Sequence, residues 1–181
     1  DNGNLVPDSI VINTVEKKIL ENLNSNGFIF DGFPRTVNQA IALDQMLVKN
    51  NLIIDLMIAL NVNDEELKER IKKRALVSSR IDDQNEEKIN NRLQVYKKET
   101  LPVSNHYRKL DKYNEINGIG SIDDIFNKIK IEKSDDECLT IGILTHSQIM
   151  GNNDWHIFGK LVKAIKKMGI EFIDAEKILH G

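Results

Sequence analysis

Apolar residues in this chain fall into two patterns that alternate along its length. Short apolar runs occur at 28–30 and 52–60, the second broken only by Asp55, and Tyr113 to Ile116 and Leu139 to Thr145 read as further strands. Runs of this length bounded by turn residues predict strands buried on both faces. Between them the apolar positions are spaced three and four apart. Ile10, Val11, Val15 and Ile19 predict a helix from Pro7-Asp8-Ser9 to about Leu23, and Ala40, Ile41, Leu43, Leu47 and Val48 predict the inner face of a second helix over 37–48. Asn63 and Glu66 have capping-box spacing ahead of Leu67 and Ile71. Ile89, Leu93 and Tyr96 mark the next helix, Leu101-Pro102 opens another with Tyr107 and Leu110, and Ser121-x-x-Asp124 caps a further stripe. Strand and helix in short alternation predict an α/β fold, a parallel sheet flanked by helices. A charged stretch at 132–138 then reads as a linker. It divides a domain over 1–131 from a stretch, 139–181, that opens a second α/β domain with strand, helix and strand.

The most unusual chemistry sits at Gly27-Phe28-Ile29-Phe30-Asp31-Gly32-Phe33-Pro34-Arg35-Thr36. An apolar strand ends on a carboxylate, the position where open α/β sheets bind ligands. Gly32 allows close approach to the backbone and Pro34 stiffens the turn, while Arg35 offers a planar fork for a phosphate. Taken singly, a strand-end Asp caps a turn and an Arg is a solvated charge. Together they suit phosphoryl transfer, with an acid for magnesium-bound water and a guanidinium for phosphate four residues apart.

Composition narrows the partners. A net charge of −3 with 29% charged residues gives no basic footprint for nucleic acid or an anionic membrane. An anionic ligand therefore needs locally grouped arginines, and Arg70, Arg74, Arg80 and Arg92 lie in one stretch. A single cysteine, Cys138, excludes an internal disulfide and fits the cytoplasm. No run approaches the ~20 apolar residues of a membrane helix. His146, His156 and Cys138 lack metal-ligand spacing.

The motif Asp31-Gly32-Phe33-Pro34-Arg35, preceded by an apolar run and followed by Gln39, resembles the adenylate kinase family. Gly3-Asn4-Leu5-Val6-Pro7-Asp8 is similar to the segment that ends that family's acceptor-binding region. The run from Lys68 through Arg74 to Ser79-Arg80-Ile81-Asp82-Asp83 resembles its short-lid members. Together these cover roughly residues 1–130. The resemblance implies a phosphate-loop nucleoside monophosphate kinase that converts ATP and AMP to two ADP with Mg2+, as a monomer. It implies Asp31 on magnesium through water, Arg35, Arg80 and Arg92 on the acceptor phosphate, and Arg74 on ATP. It also places Asn4, Leu5, Val6, Gly32, Phe33, Pro34 and Gln39 around AMP and Gly120 near the adenine of ATP. Such an arginine set offsets the repulsion of two nucleotides meeting end to end.

Three features depart from the family. Ala75 and Ser79 stand where glycines are usual, which stiffens the lid hinges, and the stretch Asp83-Gln84-Asn85-Glu86-Glu87 carries one extra residue. No Gly-x-x-x-x-Gly-Lys-Ser/Thr string occurs, so the chain is expected to be a piece of a longer protein that turns over poorly alone. The tail from 139 is weakly similar to the opening of ATP-grasp ligases. For acceptor choice, the Gln39 amide donates and accepts at once, as an adenine edge requires. The alternatives are a UMP/CMP kinase, in which Asn is common at that position, and a non-catalytic nucleotide-binding or interaction module of a fusion protein.

Overall fold

The computed structural model describes residues 5–75, 86–120, 139–144 and 169–175, together with Asp124 and Lys128. In chain order these form α1 (Asp8–Glu21), β1 (Gly27–Asp31), α2 (Val37–Lys49), β2 (Leu56–Asn61), α3 (Asp64–Ala75) and α4 (Glu86–Val95). A π-helical turn (Tyr96–Thr100) joins α4 to α5 (Leu101–Arg108), followed by β3 (Tyr113–Asn117), β4 (Leu139–Leu144) and β5 (Glu171–Asp174).

All five strands are parallel, in the order β3-β2-β4-β1-β5. The connection β1-α2-β2 therefore skips one place, and β4 fills it. Ile29 lies beside Ile141 and Asp31 beside Ile143 on one side, while Asp31 also lies in register with Asp174 of β5 on the other. Both β4 and β5 lie beyond the charged stretch at 132–138. A strand with every residue buried needs neighbours on both edges to satisfy its backbone, and β4 and β5 supply them to β1. Among the described residues, β4 and β5 thus belong to the same sheet as β1, β2 and β3.

The main core lies on one face of this sheet. Phe28, Phe30, Met57, Ala59 and Ile173 meet Val11, Val15 and Ile19 of α1, Ala40, Leu43, Met46 and Leu47 of α2, and Val103 and Tyr107 of α5. Gly142 of β4 lies in register with both Phe30 and Met57, and a Cβ there would stand 2.2 Å from Met57 Cε. The methionine tip thus fills the space that a side chain on the middle strand would take. Asp55 anchors the same strand, since its N–H donates to Thr140 O (2.9 Å) and its carboxylate accepts from Thr140 N (2.6 Å).

Several sequence expectations need correction. Ile10, Ile41 and Val48 are 52%, 41% and 64% exposed, because each sits at the margin of its helical stripe and Gln39 and Met46 take the inward places on α2. The second strand begins at Leu56, not Leu52; Leu52 N instead closes onto Leu47 O at the end of α2. Pro102 stands in the first turn of α5, as its place in the sequence predicts, although no break separates α5 from α4. It lacks an N–H and its ring would strike the Lys98 carbonyl in an α-helix, so the turn before it widens and α4 runs through to α5. Leu67, Ile71, Ile89 and Leu93 form a second small cluster between α3 and α4 with Val62, as their spacing predicts.

Candidate functional site

Local chemistry fixes the turn after β1. Asp31 is 2% exposed at the carboxyl end of the strand. Gly32 follows with φ +68°, a conformation that costs a residue with a Cβ about 1 kcal/mol or more. Phe33 is buried in the core, the Phe33–Pro34 bond is cis, and the chain then turns outward at Arg35. Arg35 Nε donates to Gly32 O (2.8 Å), which sets the plane of the guanidinium across the turn. Thr36 caps α2 by accepting from Gln39 N (3.1 Å).

Two other elements clamp this turn. Thr100, in the π-helical turn, donates from Oγ1 to Arg35 O (2.9 Å). From α1, Asp8 accepts from Thr36 Oγ1 at Oδ2 (2.9 Å) and from Gln39 Nε2 at Oδ1 (2.7 Å). Gln39 completes the ring by accepting from Arg35 N at Oε1 (2.7 Å). Gln39 is 2% exposed, so it is not the solvated helix-turn residue that its spacing alone would allow.

A second site forms at the carboxyl ends of β2 and β3. Asn61, Asn63, Glu115, Asn117 and Ile119 line an open cavity of about 370 Å³. The turn beside it is pinned by Arg70, whose Nε meets Glu66 (2.7 Å) and whose Nη2 donates to Gly118 O (3.0 Å), while Gly118 N donates to Asn61 O (2.9 Å). Gly120 follows with φ +137°. Arg70 is therefore a bracing residue for this turn.

The structure brings Asp31, Gly32, Phe33, Pro34, Arg35 and Gln39 together. Leu5 and Val6 are half-buried ahead of α1, Val6 against the core. Arg92 is half-buried on α4 beside Ile89 and Leu93, eight residues ahead of Thr100, the last residue of the π-helical turn. Arg74 lies in the last turn of α3, and its side chain, with Asn4, Arg80, Ser79 and the extra residue at 83–85, lies outside the described residues. So do Cys138, His146 and His156. Asp8 and Thr100 were missed at the sequence level: their contacts span 28, 31 and 65 residues, and nothing in a linear pattern carries them.

No group of three or more His, Cys, Asp or Glu side chains suited to a metal occurs among the described residues. The strand-end carboxylate of Asp31 suits magnesium, which keeps most of its waters and takes one or two carboxylates plus substrate phosphates. Burial raises the phenol of Tyr96 to about 12, helped by Tyr113 and Glu115, and pushes that of Tyr107 higher still, with Asp44 beside it. Both tyrosines are neutral structural groups at ordinary pH. No helix among the described residues is long and apolar enough to cross a membrane.

A parallel α/β sheet with this acid-and-arginine turn at the carboxyl end of an inner strand is the fold of the nucleoside monophosphate kinases, phosphotransferases of the phosphate-loop type. The family model described as adenylate kinase matches residues 1–112. The chain is 43% identical over 129 residues to the adenylate kinase of Flavobacterium psychrophilum, covering 71% of this chain and 68% of that one. It is 45% identical over 129 residues to that of Leptospira biflexa, covering 71% and 69%. With the adenylate kinase of Maricaulis maris it shares 46% over 125 residues, covering 69% and 66%. This chain belongs to the adenylate kinase family. Members of that family bind ATP and AMP and generally use Mg2+ with ATP.

Proposed function

We propose that the turn from Asp31 to Gln39 is the acceptor side of an ATP:AMP phosphotransferase, with AMP as the acceptor nucleotide. The observation that carries this reading is the Gln39 amide, held buried between Arg35 N and Asp8 at 2.7 Å on each side, directly after the phosphate-binding turn. An amide fixed on the same turn as a guanidinium suits a nucleotide whose phosphate and base are read by one loop.

Arg35, with Arg80 and Arg92, holds the acceptor phosphate, and Arg74 meets the donor. Asn4, Leu5 and Val6 border the acceptor base, and the Gly120 turn borders the adenine of ATP. Bound magnesium would neutralise charge on the donor phosphates, and Asp31 would orient its waters. Efficient turnover needs a phosphate loop that these residues do not supply, so the chain's own activity is acceptor binding first. The single cysteine and the net charge of −3 support a protein of the cytoplasm without nucleic-acid partners, acting as a monomer in this reading.

Calorimetric titration with AMP, CMP and ATP tests the assignment. AMP should bind at least tenfold more tightly than CMP, and Gln39→Asn should narrow that gap. Equal affinity for CMP would move the assignment to a UMP/CMP kinase, and absence of any AMP binding would leave a non-catalytic module.

A further inference from the structure

The contacts of Gln39 have a polarity that a side-chain amide normally lacks. A free amide turns over by 180° about its last bond and presents its N–H and C=O in either order. Here the two flanking partners permit one order. Arg35 N can only donate, so Oε1 must face it, and the Asp8 carboxylate can only accept, so Nε2 must face it. Reversal would set a donor against a donor and an oxygen against a carboxylate. Asp8 is itself held by Thr36 Oγ1 and by its place in the first turn of α1.

We propose that Asp8 is a specificity-determining positioning residue that locks the Gln39 amide in the one orientation that reads a 6-amino base. This rests on the AMP reading above. After its two protein contacts the amide keeps one N–H and one Oε1 lone pair with no partner among the described residues. Adenine presents a ring-nitrogen acceptor beside an amino donor, which complements that pair. Hypoxanthine and guanine present a ring N–H beside an oxo group, the reverse order. An amide free to turn would accept both patterns; one that is locked meets the oxo bases with two mismatches. Such a site rejects the wrong base through its own unsatisfied polar groups. Cytosine presents the same order as adenine, so the lock separates amino from oxo bases and leaves purine against pyrimidine to the size of the site.

The test compares AMP with IMP, which differ only at this edge, by calorimetry on the unaltered chain, D8A and D8N. The unaltered chain should favour AMP by tenfold or more. D8A, which removes one half of the lock, should lower that ratio about tenfold by strengthening IMP relative to AMP. D8N keeps an acceptor for Nε2 and should restore most of the preference. In 15N-resolved spectra the Gln39 side-chain amide should show one proton shifted downfield in the unaltered chain and in D8N but not in D8A, a readout independent of ligand. A D8A protein that weakens both nucleotides equally, or keeps the ratio, overturns the inference while the AMP reading stands. No AMP binding by the unaltered chain overturns both, and the amide spectrum then reports the clamp alone.

Discussion

Removing the Asp55 carboxylate tests whether β4 is the inner strand. Asp55 accepts from Thr140 N at 2.6 Å, and Thr140 is 1% exposed, so Asp55→Ala leaves a buried backbone N–H without its partner. A hydrogen bond to a charged group contributes about 1.5–3 kcal/mol, and an orphaned buried donor costs a similar amount. The reciprocal bond from Asp55 N to Thr140 O is a backbone contact and survives the substitution. We expect Asp55→Ala to lose about 1.5–3 kcal/mol in urea denaturation, with Tm lower by about 3–12 °C for a chain of this size. Asp55→Asn keeps a neutral acceptor at the same reach and should lose about 1 kcal/mol or less. A loss under about 0.5 kcal/mol for the alanine variant would mean that this contact does not hold the strand, and equal losses for both variants would mean that the damage lies elsewhere.

Two further outcomes follow from packing and titration. Gly142→Ala pushes a methyl group into the Met57 side chain, which bends aside at a cost of about 1–3 kcal/mol; Met57→Ala in the same protein should recover part of the loss, and additive losses in a double-mutant cycle would refute the contact. The Tyr96 phenol is raised to about 12 by burial, so between pH 10 and 12 the unfolded chain releases this proton and the folded chain keeps it. Its contribution is complete below pH 10 and falls by up to about 1.4 kcal/mol per pH unit above it. Tyr96→Phe should flatten that part of the stability profile measured by denaturant titration at pH 9 to 12, and an unchanged slope would refute the burial argument.

Much of the fold is legible in the linear pattern. β1, β2 and the helices α1 to α5 follow from runs and stripes, because each element's burial is decided by its own residues. Ile10, Ile41 and Val48 show where that logic stops: a stripe at helical spacing has margins, and only the neighbouring elements decide which margin is covered. The tail shows a larger limit. The two strands at 139–144 and 171–174 read correctly as strands, but their partner is a strand more than a hundred residues earlier, and no local signal names it. Asp55 reads as a blemish in an apolar run until Thr140 is placed against it. At the site, the Asp31-to-Arg35 turn is readable because its chemistry is contiguous. Gln39 is readable as an amide, but the carboxylate that orients it begins a different helix.

The place left open between β1 and β2 also constrains how the protein can be made. At roughly 5–20 residues per second, on the order of ten seconds of synthesis separate β1 from the strand that pairs with its inner edge. Throughout that interval the Phe28-Ile29-Phe30 segment lacks both of the strands, β4 and β5, that flank it in the fold. The nascent chain thus makes an apolar segment early and covers it late, and helper proteins that shield such segments should matter more for its yield than for its final stability.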